Sequence, residues 1–138
     1  MTGITSGGTA AMTGAAPAAT PPTSITLASL TTPLTPATRR TPVQIARSML
    51  AYYGWTSAQF PYLYRLWNRE SGWNPRAYNR ASGAYGIPQA VPGSKMASAG
   101  RDWRTNPATQ IRWGLRYIKQ RYGSPHAAWN HAIRYGWY

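Results

Sequence analysis

The sequence predicts a mainly α-helical, compact domain over residues 41–138, with one long loop and at most a minimal β element, behind a disordered tail of residues 1–40. Three observations predict it. Beyond Thr41, apolar residues recur at helical spacing in several stretches bounded by capping residues. Residues 74–104 break that period and are punctuated by Gly83, Gly86, Pro88, Pro92, Gly93 and Gly100. Residues 1–40 are Thr, Ala, Pro, Gly and Ser with scattered aliphatics, without an acid, an aromatic or a charged side chain before Arg39. Such a segment has too little apolar surface to offset the entropy of ordering.

Taken in order, Thr41-Pro42-Val43-Gln44 forms a capping box with Pro at the first helical position. Val43, Ala46, Met49, Leu50 and Tyr53 make one apolar face, and Gly54 ends that helix. Thr56 and Gln59 repeat the capping signature for a second helix, which Pro61 makes irregular at its start. Within it Phe60, Leu63, Trp67 and Glu70 share a face with Leu66. Gly72 and Pro75 stop it. A loop as long as 74–104 is usually functional, and Tyr78, Tyr85 and Trp103 suit it for a cleft wall. Asn106-Pro107 opens the next helix, with Ile111, Gly114, Leu115, Ile118 and Tyr122 as its buried stripe and Gly123 as its stop. Gly114 would let a neighbour approach closely. Ser124-Pro125 opens a short last helix through Ala127, Ala128 and Trp129, ahead of Gly136-Trp137-Tyr138.

The composition narrows the chemistry. The net charge is +13, carried mainly by arginine, since Lys95 and Lys119 are the only lysines. Such a chain is drawn to polyanions, either nucleic acid or a bacterial wall with its carboxylates and phosphate polymers. No RRM, zinc-finger or KH signature supports nucleic acid. There is no cysteine, hence no disulfide and no thiolate metal site. His126 and His131 lack a carboxylate in register and read as polar helix residues, so no metal is expected. No G-x-S-x-G elbow marks a serine hydrolase. Trp 7 and Tyr 10 against Phe 1 suit a cleft that stacks on rings while hydrogen-bonding, or a core whose polar tips reach water. No stretch approaches the ~20 apolar residues of a spanning helix, and a secretory signal is missing.

The two acids are Glu70 and Asp102. Glu70 takes a position on its helix where a Leu is expected, in the last turn. Burial disfavours the carboxylate, and so does the negative end of the helix dipole. Both favour a protonated carboxyl near neutral pH, as a general acid requires. The alternative is a structural Glu paired with Arg65 or Arg69. Asp102, between Arg101 and Trp103-Arg104 at a helix start, reads as structural. Glycosidases normally use two carboxylates, and this chain offers one good candidate.

Glu70-Ser71 at a helix end, then Ser82 to Gln89, then Asn106-Pro107 before a Gly-containing helix, then Ala128-Trp129-Asn130, resemble in that order the soluble lytic transglycosylase family of lysozyme-like folds. The likeness covers nearly all of 42–138. Glu70 to Pro75, Gly83 to Ala90 and Gly93-Ser94-Lys95-Met96 resemble the actinobacterial and actinophage members. The resemblance implies cleavage of the β-1,4 bond between N-acetylmuramic acid and N-acetylglucosamine in peptidoglycan, leaving 1,6-anhydro ends and using no cofactor. It makes Glu70 the single acid/base. It places Ser71 in the E-S motif, Ser82 near the glycan, and Ile87 and Gln89 in the counterpart of G-L-M-Q that lines the cleft. Trp129 and Asn130 stand in the counterpart of A-Y-N. There the family's Tyr hydroxyl is replaced by an indole N–H, which leaves Tyr85 or Tyr138 to supply a hydroxyl at the substrate.

The competing readings are a hydrolytic muramidase, a wall-binding module without catalysis, and a nucleic-acid binder. The expected partners are glycan strands and, through surface arginines, anionic wall polymers, met by a monomeric domain. The expected place of action is extracellular at the wall, or on a virion if the domain serves a phage tail.

Overall fold

The computed structural model describes residues 39–138. The expected tail lies outside the described residues, apart from Arg39 and Arg40. Helix α1 spans Pro42–Met49. Its capping box is formed as expected: Thr41 Oγ1 accepts the Gln44 N–H (3.2 Å), and Gln44 Oε1 accepts the Thr41 N–H (2.9 Å). The chain continues as a 3₁₀ turn, Leu50–Tyr53, and Gly54 ends it in a left-handed conformation at φ 80°.

Helix α2 spans Phe60–Ser71 and is entered through a 3₁₀ turn, Ser57–Gln59. The second capping box does not form, because this turn intervenes and neither Thr56 nor Gln59 caps with its side chain. Gln59 Oε1 instead accepts the backbone N–H of His126 (2.9 Å), an orphan donor in the first turn of the last helix. Pro61 falls in the first turn of α2, where no intrahelical N–H is needed. Gly72 closes α2 at φ 63°.

The segment between α2 and the next helix holds two isolated antiparallel bridges, Tyr78 with Tyr85 and Tyr85 with Ala90, and no strand occurs among the described residues. A 3₁₀ helix, Gly93–Ser98, follows. Helix α3 spans Pro107–Arg121, with Asn106 as its cap (Oδ1 to the Ala108 N–H, 2.9 Å). Helix α4 spans Pro125–Tyr135, capped by Ser124 as expected, and runs on past Trp129 to Tyr135.

The main core gathers Leu63, Leu66 and Trp67 of α2, Ile111, Leu115 and Ile118 of α3, and Ala128 and Ala132 of α4, all fully buried, with Ile87 from the loop. A second cluster under the loop joins Ala90, Met96 and Trp103. Trp67 lies directly over Gly114. A Cβ at Gly114 would stand 2.5 Å from its Cζ2 and 3.1 Å from Pro88 Cβ. The close approach expected at this glycine is therefore how α2, α3 and the loop meet. Gly114→Ala forces a buried indole against a prolyl ring, and overpacking of this kind costs about 1–3 kcal/mol. Thermal or urea melts of the variant should show that loss, with native helix content retained.

Candidate active site

Glu70 lies in the last turn of α2, half-buried. Burial raises the pKa of its carboxyl, and the charge of Arg69 opposes the rise without cancelling it. Arg69 does not close on it as an ion pair would. Its guanidinium donates to the Ala132 carbonyl of α4 (3.1 Å). Arg65 lies over the Tyr62 ring, 6.0 Å from its centroid. No hydrogen bond fixes the Glu70 carboxyl among the described residues.

Tyr138 stands beside this carboxyl. Its Oη accepts the Trp67 Nε1–H (2.8 Å) and donates to the Pro88 carbonyl (3.0 Å). Burial, and next the charge of Glu70, push its pKa well above the usual phenol value, so it stays a neutral hydroxyl. Tyr138 reaches this place because His131 Nδ1 bonds the Trp137 carbonyl (2.8 Å) and folds the last residues back onto the domain. The carbonyl can only accept, so His131 carries its proton on Nδ1.

Three bonds hold the adjacent loop. Ser71 Oγ donates to Ile87 O (2.8 Å), Gln110 Oε1 accepts the Ile87 N–H (2.9 Å), and Tyr138 Oη donates to Pro88 O. Gln110 is fully buried on α3, and its amide nitrogen donates to Pro75 O (2.9 Å) and Trp103 O (2.8 Å). It ties both ends of the long loop to one helix. Gly86 must be glycine here: a Cβ would meet Gln110 Oε1 at 2.7 Å, and its φ is +79°. Gln89 is also left-handed, at φ 56°, and its amide donates to Gly86 O (2.9 Å) and Ala77 O (3.3 Å).

The structure thus brings Glu70, Ser71, Ile87 and Tyr138 together around the end of α2, while Gln89 bonds within the loop and lines a cavity with Tyr138. The Ser71 hydroxyl and the Ile87 side chain are occupied inside the protein. The other candidates make their contacts elsewhere. Tyr85 Oη donates to Arg104 O (2.7 Å), and its ring meets Trp103 edge-on. Ser82 is exposed in a turn and accepts the Ala84 N–H (3.2 Å). Trp129 is half-buried against the main core. Asn130 is exposed, with Nδ2 3.2 Å from His126 Nε2 one turn back. Asp102 is bound at the start of α3: Oδ1 accepts from Thr109 Oγ1 (2.6 Å) and Oδ2 from Asn106 Nδ2 (2.8 Å). Those bonds lower its pKa. Among the described residues no three His, Cys, Asp or Glu side chains cluster.

Beside Tyr138 opens a cavity of about 120 Å³, lined by Gln89, Val91, Lys95, Trp113 and Tyr117 among others. Gln110, Trp113 and Tyr117 were not picked out from the sequence. Gln110 had a readable signal, a polar residue in register with Ile111, Gly114 and Ile118 on a core stripe, the same signal that singles out Glu70.

A half-buried, unpaired carboxyl of raised pKa at a helix end is the kind of group a functional site uses as an acid, and Tyr138, which feels its charge, also lines the aromatic-walled cavity. Residues 55–135, more than half of the chain, match the family described as Transglycosylase SLT domain. The chain belongs to this family of peptidoglycan lytic transglycosylases, glycan-cleaving lyases. No curated protein and no solved structure matches it significantly. Tyr138 lies beyond the matched residues.

The raised pKa of Glu70 has a consequence for stability. The folded state holds the Glu70 proton to higher pH than the unfolded chain, whose Glu titrates near about 4.3. Between the two pKa values the native state binds more protons, so stability falls as pH rises through that window. Glu70→Gln, which cannot ionise, should therefore melt higher than the wild type above the window. The advantage should shrink as the pH drops below the unfolded value, as read by melts across a pH series.

Proposed function

We propose that Glu70 is the single acid/base of a lytic cleavage that leaves 1,6-anhydro-N-acetylmuramic acid ends. The observation that carries this is the inequality of the two acids. Glu70 is half-buried and unpaired with a raised pKa, while both oxygens of Asp102 are occupied and its pKa is lowered. Protonated Glu70 gives its proton to the glycosidic oxygen as the muramic acid C1–O bond breaks. The positive charge developing at C1 is met by the substrate's own N-acetyl oxygen, so no second carboxylate is required. Glu70, now ionised, takes the proton of the C6 hydroxyl of the same sugar, and that oxygen closes on C1. The carboxyl ends the cycle protonated as it began.

Tyr138 supplies the hydroxyl that Trp129 cannot. Its proton goes to Pro88 O and one lone pair takes the Trp67 N–H, which leaves the second lone pair free to accept from a substrate hydroxyl or amide. The enzyme acts where peptidoglycan is, outside the cytoplasm or from a virion, and its +13 charge draws it to anionic wall polymers.

The test is product analysis on purified sacculi. Mass spectrometry should find anhydro ends, one water lighter than hydrolysed ends, and Glu70→Gln should lose at least the ~10²–10⁴-fold ascribed to general acid–base catalysis. Ordinary reducing ends as the main product would make water the acceptor and the enzyme a muramidase. Tyr138→Phe should lower kcat more than it changes KM. It should also destabilise the fold by about 1–3 kcal/mol, because the buried Trp67 N–H loses its acceptor.

A further inference from the structure

The Gly93-Ser94-Lys95-Met96 stretch has no part in the chemistry above, yet the structure builds it with care. Met96 is fully buried and anchors the turn in the second core cluster. Gly93 lies against the Tyr85 side chain, where a Cβ would come to 2.6 Å of the Tyr85 Cβ. Ser98 Oγ donates to the Lys95 carbonyl (3.1 Å). Between these anchors Lys95 is exposed and lines the cavity beside Tyr138. Trp113 and Tyr117, one turn apart on α3, line the same cavity and stack on each other with centroids 5.2 Å apart and planes 10° from parallel. The same pair lines a second hollow of about 200 Å³ with Arg116, whose guanidinium donates to Ser98 Oγ (2.8 Å).

Among the described residues Lys95 has no counter-ion of its own. The chain holds only two carboxylate side chains, and the cations that act on them are Arg69 for Glu70 and Arg112 for Asp102. A cation in a cavity that it shares with two aromatic side chains fits a ligand with an apolar part and a carboxylate. Resting on the lytic reading of Glu70, we infer that Lys95 recognises a carboxylate on the side substituent of the muramic acid sugar, with Trp113 and Tyr117 as the apolar contact in the same cavity. That makes Lys95 a specificity-determining residue and not a catalytic one. The carboxylate is either the lactyl group of a sugar stripped of its peptide or an acidic group of an attached peptide.

The probes are alternating oligosaccharides in three forms: peptide-bearing, peptide-bearing with carboxyls converted to methylamides, and peptide-stripped. Binding is measured in the Glu70→Gln background and turnover in the wild type. Where the peptide supplies the carboxylate, amidation should weaken binding about fivefold, the upper end for an exposed ion pair; where the lactyl group supplies it, amidation leaves binding unchanged and Lys95→Gln weakens binding of stripped strands by as much. Lys95→Gln should abolish that sensitivity, Lys95→Arg should keep it, and Lys119→Gln, an equal charge loss elsewhere, should also keep it. Lys95-dependent binding of stripped strands would assign the lactyl carboxylate, and dependence on peptide-bearing strands alone would assign the peptide. Undiminished amidation sensitivity in Lys95→Gln overturns the inference, as does an equal loss in Lys119→Gln. Lys95-dependent binding without wild-type turnover would sink the lytic reading and leave the recognition role standing.

Discussion

The position of the Trp67 indole is the constraint on which the site depends. Its six-membered ring lies against Gly114, the indole and Trp73 meet edge to face at 5.3 Å between centroids, and its N–H holds Tyr138. Helix spacing, the exit of the chain from α2 and the hydroxyl beside Glu70 are thus set by one rigid side chain. Glu70 is one turn further along the same helix, so its carboxyl inherits that placement. An aliphatic residue at 67 could fill much of the volume but could not donate the hydrogen bond.

Burying the loop 73–106 against this helix raises a second problem, since irregular backbone carries polar groups that no ladder satisfies. The solution is a few side chains with several bonds each. Gln110 takes one N–H and gives to two carbonyls, all from the loop. Ser71 and Tyr138 take the next two carbonyls in sequence, Ile87 and Pro88. A buried amide with all these bonds made favours one loop conformation, whereas the same amide half-satisfied would cost stability. The loop therefore forms a rigid wall next to the carboxyl without regular sheet.

What was legible in the sequence was local. The capping box at Thr41, the glycine at 114 and the carboxyl in an apolar register at 70 all follow from spacings within a few turns of helix. The bonds that assemble the site join residues 16, 23, 35, 50 and 71 positions apart, and no local pattern encodes them. Gln59 shows the difference. Its spacing from Thr56 satisfied the capping rule, but its amide found a free N–H 67 residues away in space instead. Tyr138 was readable only as one of two tyrosines that might replace a missing hydroxyl, since a tyrosine near a chain end carries no period. Ser71 was readable as the neighbour of Glu70, and its role as the pin on Ile87 was not.

The charge balance bears on Glu70 more directly than its size suggests. Fifteen cations share a chain with two acids, and an unpaired buried carboxylate is the natural target for an arginine. Such a pairing would lower the Glu70 pKa. Arg69, the cation that acts on Glu70, has another acceptor, and so do cations elsewhere in the domain. Arg69 binds the Ala132 carbonyl, Arg112 the Ala99 carbonyl, and Arg40 and Arg116 bind serine hydroxyls. Arg47 and Arg104 lie over the rings of Phe60 and Trp103, 4.2 and 4.5 Å from the centroids. Cation–π contacts contribute about 0.5–1 kcal/mol at exposed sites, comparable to an exposed ion pair, so these positions compete with Glu70 on equal terms. The abundance of tyrosine and tryptophan and the scarcity of acids are then two sides of one arrangement: aromatic faces and carbonyls hold the cations, and the carboxyl at the end of α2 is left with a raised pKa.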